Sequence, residues 1–254
     1  MPGNEIEVAK FIFRGIGKLS LGPIGLVQNL GFPYGGGFQE VRTLADIGRI
    51  SPDDAEKKAD IFINGKGVSI KQEGGSFSFN RLQRKNLLDL FSYLDFGDPE
   101  ACLRGLDIGV SQFHLGQYDS RNRPWHEFFR EGEFKKLMSY LMMEGSPNRG
   151  RSSSPADYIL EAPASGYSAS NIRLYTFEEY FGRYREKFFV AIRRGWVGQK
   201  SKSEHTRALS ISGNSKNSKW VFDTISGEPK GGWRVDFPAE KRRTVYYLMI
   251  EKVR

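Results

Sequence analysis

Apolar and polar positions along the chain alternate with two different periods, and the switches between them divide the sequence into predicted elements. The stretch Glu5–Arg14 reads as a short helix. After it the chain is rich in glycine (Gly15, Gly17, Gly22, Gly25, Gly31), and the triplet Gly35-Gly36-Gly37 is expected to form a flexible approach to Glu40. Residues 59–72 change to a period of two, predicting a pair of short strands around Asn64-Gly65-Lys66-Gly67. Residues 80–94 return to helical spacing through Leu82, Leu87, Leu90, Phe91 and Leu94, and residues 125–143 predict a second amphipathic helix ended by Gly145 and Pro147. The polar, basic run at residues 146–155 reads as a loop or linker.

Strands are expected at residues 157–160 and 171–175. Thr176 is placed to cap a helix through Arg185, with Glu178 and Glu179 in its first turn. The remainder reads as β: residues 188–193, 207–212, 220–225, 233–237 and 244–251. No repeat of solenoid or propeller length occurs. The fold class predicted is α+β, a mixed β-sheet flanked by helices early and a β-rich basic portion late. A core in residues 1–145 and a second region in 146–254 is the division expected, although one domain would also accommodate the length.

Composition narrows the chemistry. The 254 residues include 38 Lys+Arg against 30 Asp+Glu, a formal charge of +8, which hints at a polyanionic partner. Aromatics at 13% argue against disorder. Cys102 is the single cysteine, so neither an intramolecular disulfide nor a multi-cysteine metal site can form, and it is expected to be a buried small hydrophobe. His114, His126 and His205 lack metal-binding spacing, and only His126, between Trp125 and Glu127, is a candidate base. No run of apolar residues is long enough to span a bilayer, and residues 8–30 carry Lys10, Arg14 and Lys18 within the apolar stretch, unlike a secretory signal. No Walker-type loop is present, so no nucleotide cofactor is expected.

The most specific segment runs from Ala59 to Lys71. A hairpin with Gly65-Lys66 as its loop would pair Ile63 with Val68, Ile61 with Ile70, and Asp60 with Lys71. Ile61, Ile63, Val68 and Ile70 then share the core face, while Asp60, Phe62, Ser69 and Lys71 share the other. Asp60 opposite Lys71 could be a cross-strand ion pair worth ~0.2–1 kcal/mol. The same geometry also suits phosphoryl chemistry. A carboxylate at a strand end can hold Mg²⁺, and a nearby lysine can orient water and stabilise charge developing on phosphate.

The run ADIFINGKGVSIKQEGGSFSFNRLQR resembles the catalytic core of type II restriction endonucleases of the PD-(D/E)XK nuclease superfamily: an Asp at a strand start, an acidic-x-Lys triplet on the next strand, then a helix. Asp60 matches the first position, Ser69-Ile70-Lys71 the triplet, and residues 80–94 the helix. The resemblance implies a Mg²⁺-dependent, intracellular, prokaryotic enzyme that hydrolyses double-stranded DNA at a short sequence, in a restriction–modification system. It further implies that Asp60 and the Ile70 carbonyl hold the metal and that Lys71 serves the attacking water. Two positions depart from the pattern. Ala59 replaces Pro without chemical consequence, but Ser69 replaces a carboxylate, so another acid must complete the site. Glu40 is the first choice, Glu73 the second, and Gln83 or Asp89 the third; Glu40 reads equally as a solvated surface acid.

DNA contacts are expected from Asn80, Arg81 and Arg84, and from the basic C-terminal third: Arg193, Arg194, Lys200, Lys202, Arg207, Lys216, Lys219 and Arg234. Asp157 is a rival strand-start acid, but no lysine follows at useful spacing, so it reads as structural. A two-fold dimer would suit a palindromic site, and a monomer cutting each strand in turn is equally compatible. The alternatives are a non-catalytic sequence-specific DNA-binding protein and a structure-specific DNA repair nuclease.

Overall fold

A computed structural model describes residues 4–48, 57–75, 77–78, 82–114, 117, 122–146, 150–196 and 244–252. The chain divides into two compact units that interleave along the sequence. The first comprises Met1–Phe79, Phe134–Lys187 and Lys252–Arg254; the second comprises Asn80–Glu133 and Phe188–Glu251.

The first unit is built on a six-stranded mixed sheet. Its strands are β1 (Leu30–Tyr34), β2 (Gly37–Glu40), β3 (Ile61–Ile63), β4 (Lys66–Gln72), β5 (Tyr158–Ala162) and β6 (Arg173–Tyr175), in the spatial order β6-β5-β4-β3-β1-β2. All pairings are antiparallel except β4 with β5, which run parallel. Helix α1 (Glu5–Arg14) forms as expected and buries Val8, Ala9 and Ile12 in a core with Ile61, Ile63, Val68, Ile70, Leu160 and Ala162. The isoleucine face of the β3–β4 hairpin is therefore the core side, as its alternation requires.

The register of that hairpin differs from expectation. Ile61 pairs with Val68, Phe62 with Gly67 and Ile63 with Lys66, so the loop is Asn64-Gly65. Both loop residues have positive φ, 51° and 75°, the conformation a tight two-residue hairpin turn demands and Asn-Gly supplies. Asn64 is further fixed by accepting the Gln28 N–H and donating to the Leu26 carbonyl, each at 2.8 Å. The slip moves each partner by two residues, so every side chain keeps its face. Gly67 is required for packing: an added Cβ would lie 2.2 Å from the Pro155 carbonyl oxygen. Asp157 clasps the same residue, its carboxylate accepting the Gly67 N–H at 2.8 Å, which is the structural role the sequence suggests.

The glycine triplet is not a flexible approach but part of a second hairpin. Gly35 and Gly36, with φ of 55° and 81°, turn β1 into β2. Residues 125–143 do not form one helix. Trp125–Glu127 is a 3₁₀ turn, helix α2 spans Glu131–Ser139, and Tyr140–Glu144 continues it with π geometry. The α2 start coincides with Glu131 and Glu133, acids that favour a helix N-terminus. Helix α3 (Phe177–Tyr184) carries the expected cap: the Thr176 hydroxyl accepts the Glu179 N–H, and the Glu179 carboxylate accepts the Thr176 N–H.

In the second unit the strand Phe188–Trp196 lies between Asn122–Pro124 and the strand Thr244–Lys252, whose last residue is counted with the first unit, and Leu82–Gln83 pairs with the latter. Helices cover Leu87–Tyr93 and Pro99–His114. The expected helix over residues 80–94 is thus shortened to Leu87–Tyr93, because Leu82–Gln83 is taken into the sheet and Arg84–Asn86 forms a 3₁₀ turn. The strands expected at residues 207–212, 220–225 and 233–237 lie outside the described residues.

Candidate functional site

Asp60 stands one residue ahead of β3, its N–H held by the Val68 carbonyl at 2.9 Å. Its carboxylate turns onto β4. One oxygen accepts the Ile70 N–H at 2.6 Å and the Ser69 hydroxyl at 3.3 Å. The Lys71 ammonium reaches back to donate to the Ser69 Oγ at 2.7 Å and the Ile70 carbonyl at 3.1 Å. Asp60, Ser69 and Lys71 thereby form a continuous hydrogen-bonded line beside the strand, with the buried serine as its link.

Lys58, which the sequence did not single out, belongs to the same neighbourhood. Its ammonium donates to the Leu141 carbonyl at 2.8 Å, and its pKa is lowered to about 8. Burial is the largest cause and the field of Lys71 the next, with Asp60 acting in the opposite direction.

The parallel partner strand contributes a second acid. Glu161 is in register with Lys71 on β5, so their side chains leave the sheet on the same face. Glu161 and Lys252 are each 2% exposed and form an ion pair at 3.1 Å. Tyr184 donates to the other Glu161 oxygen at 2.5 Å, and Lys252 also bonds the Tyr180 hydroxyl at 3.1 Å and lies 3.4 Å from the Tyr184 ring centre. Burial, with the bond to Glu161, pushes the Tyr184 hydroxyl up to about 12, and burial lowers the Lys252 pKa against the pull of Glu161.

Glu40 and Glu73, the acids of the same unit considered for this role, stand on other elements than Asp60. Glu40 is exposed on the edge strand β2, with β1 between it and β3. Glu73 is exposed in the turn after β4, because the strand ends at Gln72; its N–H goes to the Ala162 carbonyl. Asp89 is exposed on the helix Leu87–Tyr93 of the second unit, and the Gln83 backbone pairs in that unit's sheet. Among the described residues no cluster of three or more His, Cys, Asp or Glu is arranged to hold a metal. Asp60 and the Ile70 carbonyl still offer hard oxygen donors, the carbonyl also accepting from Lys71. That set fits Mg²⁺, which binds through one or two carboxylates and keeps several waters.

Of the expected DNA contacts, Arg84 is placed in the second unit, where it makes a bidentate pair with Asp107 at 2.7 and 2.8 Å that raises its pKa. A phosphate at Arg84 must compete with that carboxylate. The backbones of Arg193 and Arg194 lie in the strand Phe188–Trp196. Asn80, Arg81, Lys200, Lys202, Arg207, Lys216, Lys219 and Arg234 lie outside the described residues.

His126 lines a cleft of about 300 Å³ in the second unit with Asp98, Cys102, Phe128, Arg130 and Glu133. Cys102 is half-buried there, and burial followed by the charges of Glu133 and Asp98 pushes its thiol up to about 12. No protein-family model, curated protein or solved structure matches the chain.

Among the described residues no helix is long and apolar enough to cross a membrane.

Proposed function

We propose that the chain is a Mg²⁺-dependent endonuclease that hydrolyses phosphodiester bonds in double-stranded DNA at a short specific sequence, as its resemblance to type II restriction endonucleases implies. The observation that carries this reading is the line from Asp60 through Ser69 to Lys71, an acid and an ammonium joined across a strand-start and its neighbouring strand. An isolated surface ion pair needs no buried serine between its partners.

In this mechanism Asp60 and the Ile70 carbonyl are the residues that would hold the metal. The metal's chemistry, when bound, is to polarise the phosphoryl oxygen and acidify a water. Ser69 fixes the direction of the Lys71 ammonium. Lys71 orients the water that attacks phosphorus in line, and its charge stabilises the phosphorane-like oxygens as negative charge grows on them. Glu161 keeps a negative charge beside Lys71 on the neighbouring strand, held in place by Lys252 and Tyr184. The formal charge of +8 favours association with a polyanion.

Phage DNA incubated with the protein and Mg²⁺ tests the reading. Discrete fragments that vanish when EDTA is added are the expected result. Cutting that persists in EDTA, or no cutting in any divalent metal, would overturn it, and cutting confined to branched substrates would move it to a structure-specific nuclease.

A further inference from the structure

The sheet of the first unit ends in β2 (Gly37–Glu40), whose residues are all exposed and whose outer side pairs with no strand among the described residues. The Val41 N–H donates to the Leu30 carbonyl at 2.8 Å, and the register continues through Phe32 with Gln39 to Tyr34 with Gly37. In an antiparallel ladder alternate residues bond to the same neighbour. Val41, Gln39 and Gly37 therefore bond inward to β1, while the backbone N–H and C=O groups of Phe38 and Glu40 point outward from the edge. Such a row is a template for another strand.

The usual devices that blunt an edge are missing. β2 holds neither Pro nor Lys, and its register with β1 runs without a bulge. Its side chains add apolar surface. Phe38, 43% exposed, stacks on Phe62 with ring centres 5.1 Å apart, and Tyr34 beside the turn is 67% exposed. Gly31 leaves room for that ring, since a Cβ there would lie 2.5 Å from it.

The same pattern fits a second copy of itself. In an antiparallel pairing outward groups must meet outward groups. Centring the two-fold on Glu40 sets two carboxylates opposite each other, which is destabilising. Centring it on Phe38 puts Glu40 opposite Gly36, outside the strand. Centring it on Gln39 sets Phe38 opposite the second copy's Glu40 on both sides of the axis, and each of those pairs exchanges two backbone hydrogen bonds. The two Gln39 amides then face each other across the axis.

We propose that the β2 edge is a docking surface for a second copy of this chain, which adds its own β2 antiparallel about a two-fold axis at Gln39 and continues the sheet. The interface is independent of the nuclease reading. Antiparallel continuation keeps like faces on one side, so the two Asp60–Lys71 lines leave the joined sheet on the same side. The edge is short, so association is reversible.

Sedimentation of the full chain across a concentration series reads the association. The weight-average mass should rise from 28.9 kDa towards twice that value between about 1 and 100 μM, the range of a small interface. Glu40→Pro removes one outward N–H from each copy and none of the bonds to β1, and should weaken association about tenfold or more. Cysteines locate the axis. In the Gln39-centred register the two Gln39 Cα atoms lie about 4.5 Å apart, within disulfide range, and the two Glu40 Cα atoms about 9 Å apart, beyond it. Gln39→Cys should form a disulfide-linked dimer on mild oxidation. Glu40→Cys should not, nor should the wild type, whose Cys102 is half-buried. The cysteine pair also decides the matter if Glu40→Pro does not fold. A wild type that keeps its monomer mass throughout, undiminished association of a folded Glu40→Pro, or a Gln39→Cys protein that cross-links no faster than Glu40→Cys would each overturn the proposal.

Discussion

Position 69 decides how much of the site is charge and how much is geometry. A carboxylate there would bind metal directly, whereas the Ser69 hydroxyl passes one hydrogen bond to Asp60 and receives one from Lys71. Its contribution is therefore alignment, and Ser69→Ala should lower the cleavage rate about 10–100-fold, as loss of a supporting contact in a metal site does, without abolishing it. Rates measured across a Mg²⁺ titration check this. The single cysteine gives an independent residue-scale prediction. The Cys102 thiol, pushed from 9.0 to about 12, is protonated at pH 8, so an aromatic disulfide reagent should label it slowly until the protein unfolds. The same shift has a stability consequence. Its folded pKa lies above the unfolded one, so its contribution is whole below pH 9 and declines as pH rises from there towards 12. Asp60 and Lys71 were legible in the sequence because alternation along two short strands sorts them to one face. Lys58 and Glu161 were not: one precedes the strand, and the other arrives through a parallel pairing some ninety residues away, which no local pattern announces.

Elements differ in how openly their sequences declare them. Helix α3 was readable because Thr176 and Glu179 form a capping box whose chemistry is local. The helix Pro99–His114 was missed although Asp98 and Pro99 mark its start, with the Asp98 carboxylate accepting the Ala101 N–H at 2.8 Å. Gly105 and Gly109 disguise it, and Gly109 has a packing reason: an added Cβ would lie 2.3 Å from the Phe128 ring. The β1–β2 hairpin is hidden in the sequence because Gly35-Gly36 serves equally as slack or as a turn with two positive φ angles. The register of β3–β4 turned on the preference of Asn-Gly over Gly-Lys for that same conformation. The strand Thr244–Lys252 ends in the buried Glu161–Lys252 pair, which makes a quantitative prediction at this scale. Lys252→Met strands a buried carboxylate and should cost about 3–5 kcal/mol in chemical denaturation. Adding Glu161→Gln should recover part of that loss, since both charges are then gone. A double variant as unstable as the single one would mean that Glu161 is not held by Lys252.

For the whole molecule, the sequence conveyed class and charge better than organisation. A mixed sheet flanked by helices followed from the sequence of periods, while units that leave and re-enter the chain at Asn80, Phe134, Phe188 and Lys252 have no signature in linear composition. The excess of positive charge makes a prediction that belongs to the molecule rather than to any residue. Affinity for duplex DNA should fall steeply and linearly with the logarithm of salt concentration, as release of condensed counterions requires. A flat response in a binding titration would remove the basic surface from the account. The most direct test of the central claim is cleavage of plasmid DNA in Mg²⁺ by wild-type, Asp60→Ala and Lys71→Ala proteins of equal folded concentration. The account predicts discrete products from the wild type and none from either variant while duplex binding is kept; cleavage by either variant at the wild-type rate would contradict it.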